Sequence, residues 1–362
     1  MKRSCPDYNT LCEVLSPLVT EAWKPQLNNL ALFVYGLLLA GHVHLPKIAL
    51  TLPVTGNTRN ALQRLERFLK NKAIQPTLWY EGVAKAVLAT WKGTEIELIM
   101  DQTDLGDRFP LLFVALAFRK RAIPIYWRLL PHEGCSGVKE QTKLLTAIAK
   151  LLPSDTRIVL MADREYGSVG LFEFLQEQGW FFVIRMKKDL WCQMANGRLF
   201  QIGEIPLRPG TVNFEDNVCL RDLPGLRLSL NCGWSSIDPK DEPWYLLTPF
   251  RAGKDNLERY SRRFWIEEMF RDFKEQGFRL EKTHLELGKR VEVLLLCVCI
   301  AYTWTLFLGL QLEEEGKRGL IDRANRPQLS LFQFAFRYLK RLIARREPFP
   351  EKVRFVKSKC EG

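Results

Sequence analysis

Apolar residues follow two rhythms along this chain, and the changes between them mark its elements. Through 1–95 they recur at helical spacing. The spacing predicts a helix over 30–40, capped by Asn28 or Asn29, and a shorter one over 45–52. A Thr-Gly-Asn-Thr turn leads into a third helix over 58–71. There Leu62, Leu65 and Phe68 or Leu69 face inward, leaving Arg59, Asn60, Gln63, Arg64, Arg67 and Lys70 outside. Helix, turn and basic helix is an arrangement that reads DNA. It is equally the pattern of a plain solvated amphipathic helix.

From 96 the rhythm shortens. Apolar runs at 96–100, 111–118 and 122–129 predict three strands in a meander, the first ending in Asp101. A helical period over 139–152 stops at Pro153. A strand over 157–162 then ends in Asp163, a helix covers 169–178, and a buried strand covers 180–186. Residues 187–243 carry turn signals and short alternating runs such as 226–230, which read as a β-rich insertion. A strand returns over 244–248.

The stretch 254–278 has helix formers throughout, no proline, and Gly277 where a helix stops. Tyr260, Arg263, Glu267 and Lys274 lie at offsets 0, 3, 7 and 14. At about 100° per residue they share a face roughly 60° wide. Ion pairing along a wet face, for example Arg263 with Glu267, accounts for such a pattern. So does a metal-binding carboxylate flanked by phosphate-binding donors. Glu268 is also acidic but points about 100° away.

The run 293–310 is apolar on all sides and long enough to cross a bilayer, or to be the buried core helix of a large domain. A polar linker over 311–327 precedes a last helix over 329–344 that ends in a basic tail: Arg337, Lys340, Arg341, Arg345, Arg346, Lys352, Arg354, Lys357 and Lys359. Such a tail binds a phosphate backbone or stays disordered.

Composition narrows the reading. The 362 residues exceed one small core, and 47% apolar content argues against disorder. A net charge of +12 and a pI near 9.3 suit a polyanionic partner, nucleic acid being the usual one. Nine cysteines without a Cys-x-x-Cys pair read as free thiols in a reducing compartment. The opening MKRSCPDYNT does not read as a cleavable leader. No repeat, P-loop or dinucleotide glycine motif is present. His42, His44, His132 and His284 offer no ligand spacing with a carboxylate, apart from His132 beside Glu133.

Two aspartates at strand ends and a glutamate on a later helix supply all-oxygen ligands suited to Mg²⁺ or Mn²⁺. Two such ions about 4 Å apart clamp an in-line displacement at phosphorus. Asp101, Asp163 and Glu267 thus form a candidate metal-dependent phosphodiester site.

The residues MDQTDL (100–105), MADREYGS (161–168), WYLLT (244–248) and YSRRFWIEEMFRDFK (260–274) carry a family likeness. The chain resembles the DDE transposases of bacterial cut-and-paste insertion sequences, in the branch marked by Tyr-x2-Arg-x3-Glu-x6-Lys. The resemblance implies an α/β fold: a ribonuclease H-like catalytic core with a β-rich insertion, flanked by helical N- and C-terminal segments. The corresponding divisions are 1–95 (helical, DNA-binding only on its helix, turn and basic helix pattern), 96–186 and 244–310 (core), 187–243 (insertion) and 311–362 (basic, helical). It implies that Asp101, Asp163 and Glu267 are the catalytic metal ligands for two Mg²⁺ or Mn²⁺ ions, with Tyr260, Arg263 and Lys274 on transposon-end phosphates. Trp244 matches a residue that stacks on a flipped base in hairpin-forming relatives, or is a core tryptophan. Arg164 matches a DNA-contacting stretch, or belongs to an ion-paired loop with Glu165. The implied activity is hydrolytic cleavage at transposon ends and strand transfer into target DNA by a homodimer, in the bacterial cytoplasm at the nucleoid, with no membrane. The rivals are a ribonuclease H-like nuclease or resolvase that cuts without joining, and a DNA-binding relative without catalysis.

Overall fold

The computed structural model describes residues 6–53, 57–106, 108–234, 242–323, 326–350, 353 and 355. Cys5, Thr55, Gly56, Asp107 and Cys360 lie outside the described residues, as do Lys352, Arg354, Lys357 and Lys359 of the basic tail.

Five helices come first: α1 (Pro6–Leu15), α2 (Lys24–Ala40), α3 (Leu45–Thr51), α4 (Thr58–Lys70) and α5 (Pro76–Ala89). The second begins earlier than its asparagines suggested, because Pro25 fits the first helical turn. Asn28 and Asn29 therefore lie inside α2 and serve its neighbours. The Asn29 Oδ1 accepts from Arg64 Nε at 2.6 Å, and the Asn28 carbonyl accepts from the Tyr8 hydroxyl at 3.0 Å. Asn57 caps α4 by accepting from the Asn60 N–H. Ala61, Leu65, Phe68 and Leu69 are the buried positions of α4, while its basic face is exposed.

A ten-stranded sheet follows, in the order β3-β2-β1-β4-β5-β10-β9-β8-β6-β7. The first three strands, β1 (Glu95–Leu105), β2 (Phe109–Phe118) and β3 (Arg121–Leu129), form an antiparallel meander. Helix α6 (Val138–Ala149) crosses to β4 (Arg157–Ala162), and α7 (Val169–Glu177) crosses to β5 (Phe181–Arg185). Both of these strands run parallel to β1. A meander followed by two parallel crossovers, in the order 3-2-1-4-5, is a ribonuclease H-like core. The strands β6 (Trp191–Gln193), β7 (Leu199–Gln201), β8 (Val212–Leu220) and β9 (Leu223–Gly233) extend the same sheet, since β9 pairs with β10 (Trp244–Thr248).

The remaining chain is helical: α8 (Lys254–Ser261), α9 (Trp265–Arg271), α10 (Gly288–Glu314) and α11 (Leu331–Arg345). Among the described residues, α10 is long and apolar enough to cross a bilayer; α2 and α3 pass the same test only as a pair bent by 93°. The apolar window of α10 is wholly buried, packed against α2, α4, α5, α11 and β3. It is the core helix that an all-round apolar surface requires. Tyr80 of α5 ties these layers together: its hydroxyl donates to the Pro124 carbonyl at 2.9 Å and lies 2.8 Å from the Thr303 hydroxyl of α10.

Candidate active site

The parallel register of β1 and β4 builds the first half of the site. Met100 faces Ala162 in the last registered pair, so Asp101 and Asp163 are the next residues on two adjacent strands. Neighbouring strands lie about 4.8 Å apart, which brings the two carboxylates to one edge. Asp101 does not end its strand. Beyond Met100, β1 loses β4 but keeps β2, and Asp101 pairs with Phe113. Its Oδ1 accepts from the Gln102 N–H at 2.9 Å. Asp163 leaves β4 and caps the 3₁₀ turn Arg164–Tyr166, accepting from the Arg164 N–H at 2.6 Å.

The stretch after β10 brings the rest. It is not the single helix that its composition suggests. A 3₁₀ turn, Arg262–Phe264, separates α8 from α9, and a π-helical turn, Asp272–Gln276, follows α9. Tyr260 is fully buried, and its hydroxyl donates to Asp163 Oδ1 at 3.4 Å. Arg263 enters with its side chain only 6% exposed. One terminal nitrogen donates to Asp101 Oδ2 at 3.1 Å, the other to Glu267 Oε1 at 2.5 Å. Its guanidinium also lies over the Phe264 ring, 4.5 Å from the centroid. Three carboxylates from β1, from the loop after β4 and from α9 thus gather round Arg263 and Tyr260.

Burial drives the electrostatics. Desolvation pushes the Asp101 carboxyl up to about 6. Arg263 and the Gln102 N–H pull it back, while Glu267 and Asp163 add repulsion. The Tyr260 phenol is held above its ordinary range, chiefly by burial. Burial also works against the charge of Arg263, yet Tyr260 and the three carboxylates outweigh it and raise the guanidinium further.

The remaining expected residues fall differently. Lys274 lies in the π-helical turn, where the angular argument no longer holds, and pairs with Glu281 at 3.8 Å. Trp244 is half-buried against Tyr260 and Phe264, with ring centroids 5.0 and 5.8 Å away, so it belongs to an aromatic cluster behind Arg263. Arg164 donates to Glu242 at 2.5 Å, while Glu165 pairs with Lys187. Glu268 turns away from Glu267 and joins Arg121 and Arg271. His132 meets Glu140, not the Glu133 carboxylate. One residue escaped the sequence reading. Arg185, near the end of β5, lies 4.0 Å from Asp163 and donates to Glu242 at 3.1 Å. A single charge closing an apolar strand was its signal.

Among the described residues, no group of three or more His, Cys, Asp or Glu is placed to hold one metal ion. The donor chemistry still suits a hard dication: the set is all carboxylate, and burial works against the lone charge on Asp101. The arrangement is not a ready cage, because Asp101 and Glu267 both turn onto Arg263.

Comparisons with known proteins bear on this geometry. No curated protein matches the chain. Among solved structures, a cryo-EM structure of a piggyBac transposase synaptic complex with hairpin DNA superposes with a TM-score of 0.45 at 13% identity. The superposition covers 100% of this chain and 87% of that one, and is too loose to carry an argument. A family model described as "Transposase DDE domain" matches residues 135–304, a little under half of the chain. Asp101 lies outside that match; the segment that holds Asp163, Trp244, Tyr260, Arg263, Glu267 and Lys274 is similar to the DDE domain of transposases.

Proposed function

We propose that the chain is a DDE transposase that cuts at the ends of a mobile element and joins the freed 3′-hydroxyl to target DNA. The observation that carries this reading is the convergence of Asp101, Asp163 and Glu267. They come from three separate elements, and Asp163 and Glu267 lie within the segment similar to a transposase domain. The strand order of the core supports it, since Asp101 lies on β1 and Asp163 directly follows β4, the parallel neighbour of β1.

Asp101, Asp163 and Glu267 would hold Mg²⁺ or Mn²⁺, in all two ions, which supply Lewis acidity at the scissile phosphate and a more acidic attacking water. In the first step water attacks phosphorus, the P–O3′ bond breaks, and a 3′-hydroxyl leaves. In the second step that hydroxyl attacks another phosphorus, either across the duplex to close a hairpin or in target DNA, and the P–O3′ bond of the attacked phosphodiester breaks to release its own 3′-hydroxyl. The protein's own groups position the phosphate. Arg263 offers a planar, bidentate donor, and Tyr260 orients Asp163 through its hydroxyl. Burial by the aromatic cluster of Trp244, Tyr260 and Phe264 keeps one wall of the site dry. Lys274, Arg164 and the exposed face of α4 contact DNA farther out, and two chains act on paired ends. A bacterial insertion sequence is the source that the Tyr-Arg-Glu-Lys spacing suggests.

The test uses the full chain, Mg²⁺ or Mn²⁺, and duplexes carrying the inverted repeats that flank its gene. Cleavage should be lost in Asp101→Asn, Asp163→Asn and Glu267→Gln. Pre-cut ends bearing a 3′-hydroxyl should be joined to plasmid DNA. Cleavage without joining would identify a nuclease, and cleavage that survives all three substitutions would remove the site.

A further inference from the structure

Arg263 sits where positive charge is needed between two of the proposed ligands, and its fit there is incomplete. Its terminal nitrogens are committed to Asp101 and Glu267. Its Nε is buried and has no hydrogen-bond partner among the described residues. A buried donor left unpaired is a standing cost of this conformation. The guanidinium is a rigid fork, so it cannot satisfy both carboxylates and turn Nε to an acceptor at once. Glu267, at 49% exposure, is free to re-aim, whereas Asp101 is fixed in a strand.

We infer that Arg263 is a resident counter-cation that competes with the divalent metal for Asp101 and Glu267, and that a DNA phosphate relieves this competition by drawing the guanidinium away. The inference rests on the transposase reading and deepens it by assigning Arg263 control over when the site loads. A phosphate is the natural exchange partner, because it accepts the same bidentate fork that a carboxylate does. Linkage then makes the coupling reciprocal: phosphate on Arg263 tightens the metal, and metal on the carboxylates frees Arg263 for phosphate. Without DNA the site stays partly neutralised and poorly loaded, which restrains cutting of the wrong substrate.

The experiment measures Mn²⁺ binding to the full chain by the loss of free-ion electron paramagnetic resonance signal and by calorimetry. It compares wild type, Arg263→Gln and Arg263→Lys, each with and without a short DNA duplex. The Gln variant should bind Mn²⁺ about tenfold more tightly than wild type when DNA is absent, with Lys between them. Duplex should tighten Mn²⁺ in wild type and leave the Gln variant unchanged. Equal or weaker binding by the Gln variant overturns the inference. If Gln fails to fold, the Lys variant and the DNA effect on wild type decide it, and a wild type whose Mn²⁺ affinity ignores DNA overturns it. Asp101→Asn separates the two readings. Mn²⁺ that binds, is abolished by Asp101→Asn and is indifferent to Arg263 removes only this inference. Mn²⁺ that binds no form of the protein removes the metal-dependent site as well.

Discussion

Replacing Arg121 with leucine should destabilise the protein in alkaline solution and hardly at all in acid. Arg121 opens β3, 9% exposed, and its Nε donates to Asp272 Oδ2 at 2.8 Å. Asp272 is fully buried in the π-helical turn, with the Tyr302 hydroxyl at 3.5 Å. Burial pushes its carboxyl up to about 6, although Arg121 pulls it down. A carboxyl raised in the fold above its 3.8 reference makes the native state the better proton binder between those values. Wild-type stability therefore falls as pH climbs from about 4 to about 6 through this group, and levels off above. Without Arg121 the folded pKa rises further, and the loss continues at about 1.4 kcal/mol per pH unit. The variant should trail wild type by about 3 kcal/mol at pH 8 and by less than about 1 kcal/mol at pH 5.5. Urea unfolding at the two pH values reads this as a midpoint shift on the order of 1 M at pH 8. An equal penalty at both pH values would refute the reasoning. So would an Arg121→Leu, Asp272→Leu double variant whose penalty equals the sum of the single ones, because a well-packed apolar pair should recover much of the loss.

Other expectations separate neighbours. Glu268→Gln should lower stability by about 1 kcal/mol through its contact with Arg121 while sparing DNA cleavage, and Glu267→Gln should do the reverse; parallel melting and cleavage assays check both. A Cβ built on Gly82 would stand 1.8 Å from the Leu18 carbonyl oxygen, so Gly82→Ala should displace the segment after α1. Faster proteolysis near that segment and a loss of about 2–3 kcal/mol would show it. Tyr80→Phe strands the Pro124 carbonyl and should lower stability by about 1–3 kcal/mol in denaturant unfolding, without altering DNA binding.

The strands were the most legible part of the chain. Arg157 with Asp163, and Pro243 with the Pro249-Phe250 turn, punctuate apolar runs so sharply that 157–162 and 244–248 read correctly to the residue. The end of the first strand was read a few positions early, at Met100 instead of Leu105, because a strand that changes partners shows no break in its own side chains. The helix over 254–278 failed for a deeper reason. Periodicity assumes one constant rotation per residue, whereas a 3₁₀ and a π turn interrupt it here, the latter where Arg121 meets Asp272. Tyr260, Arg263 and Glu267 kept a common face because the irregularity between them is short. Lys274 lost it. The role of Arg263 between two carboxylates was invisible, since spacing shows that charges are near but not which of them face inward.

The burial of α10 has a consequence for how the chain must be made. When this segment leaves the ribosome its neighbours α2, α4, α5 and β3 already exist, but α11, which packs along it, is still to be synthesised. For that interval the most oily stretch of the protein stands open on one flank, an invitation to chaperones, lipid or another nascent chain. A premature stop before residue 331 would leave that flank uncovered for good, so trimming the C-terminal helix should send the product into aggregates instead of yielding a shorter folded chain.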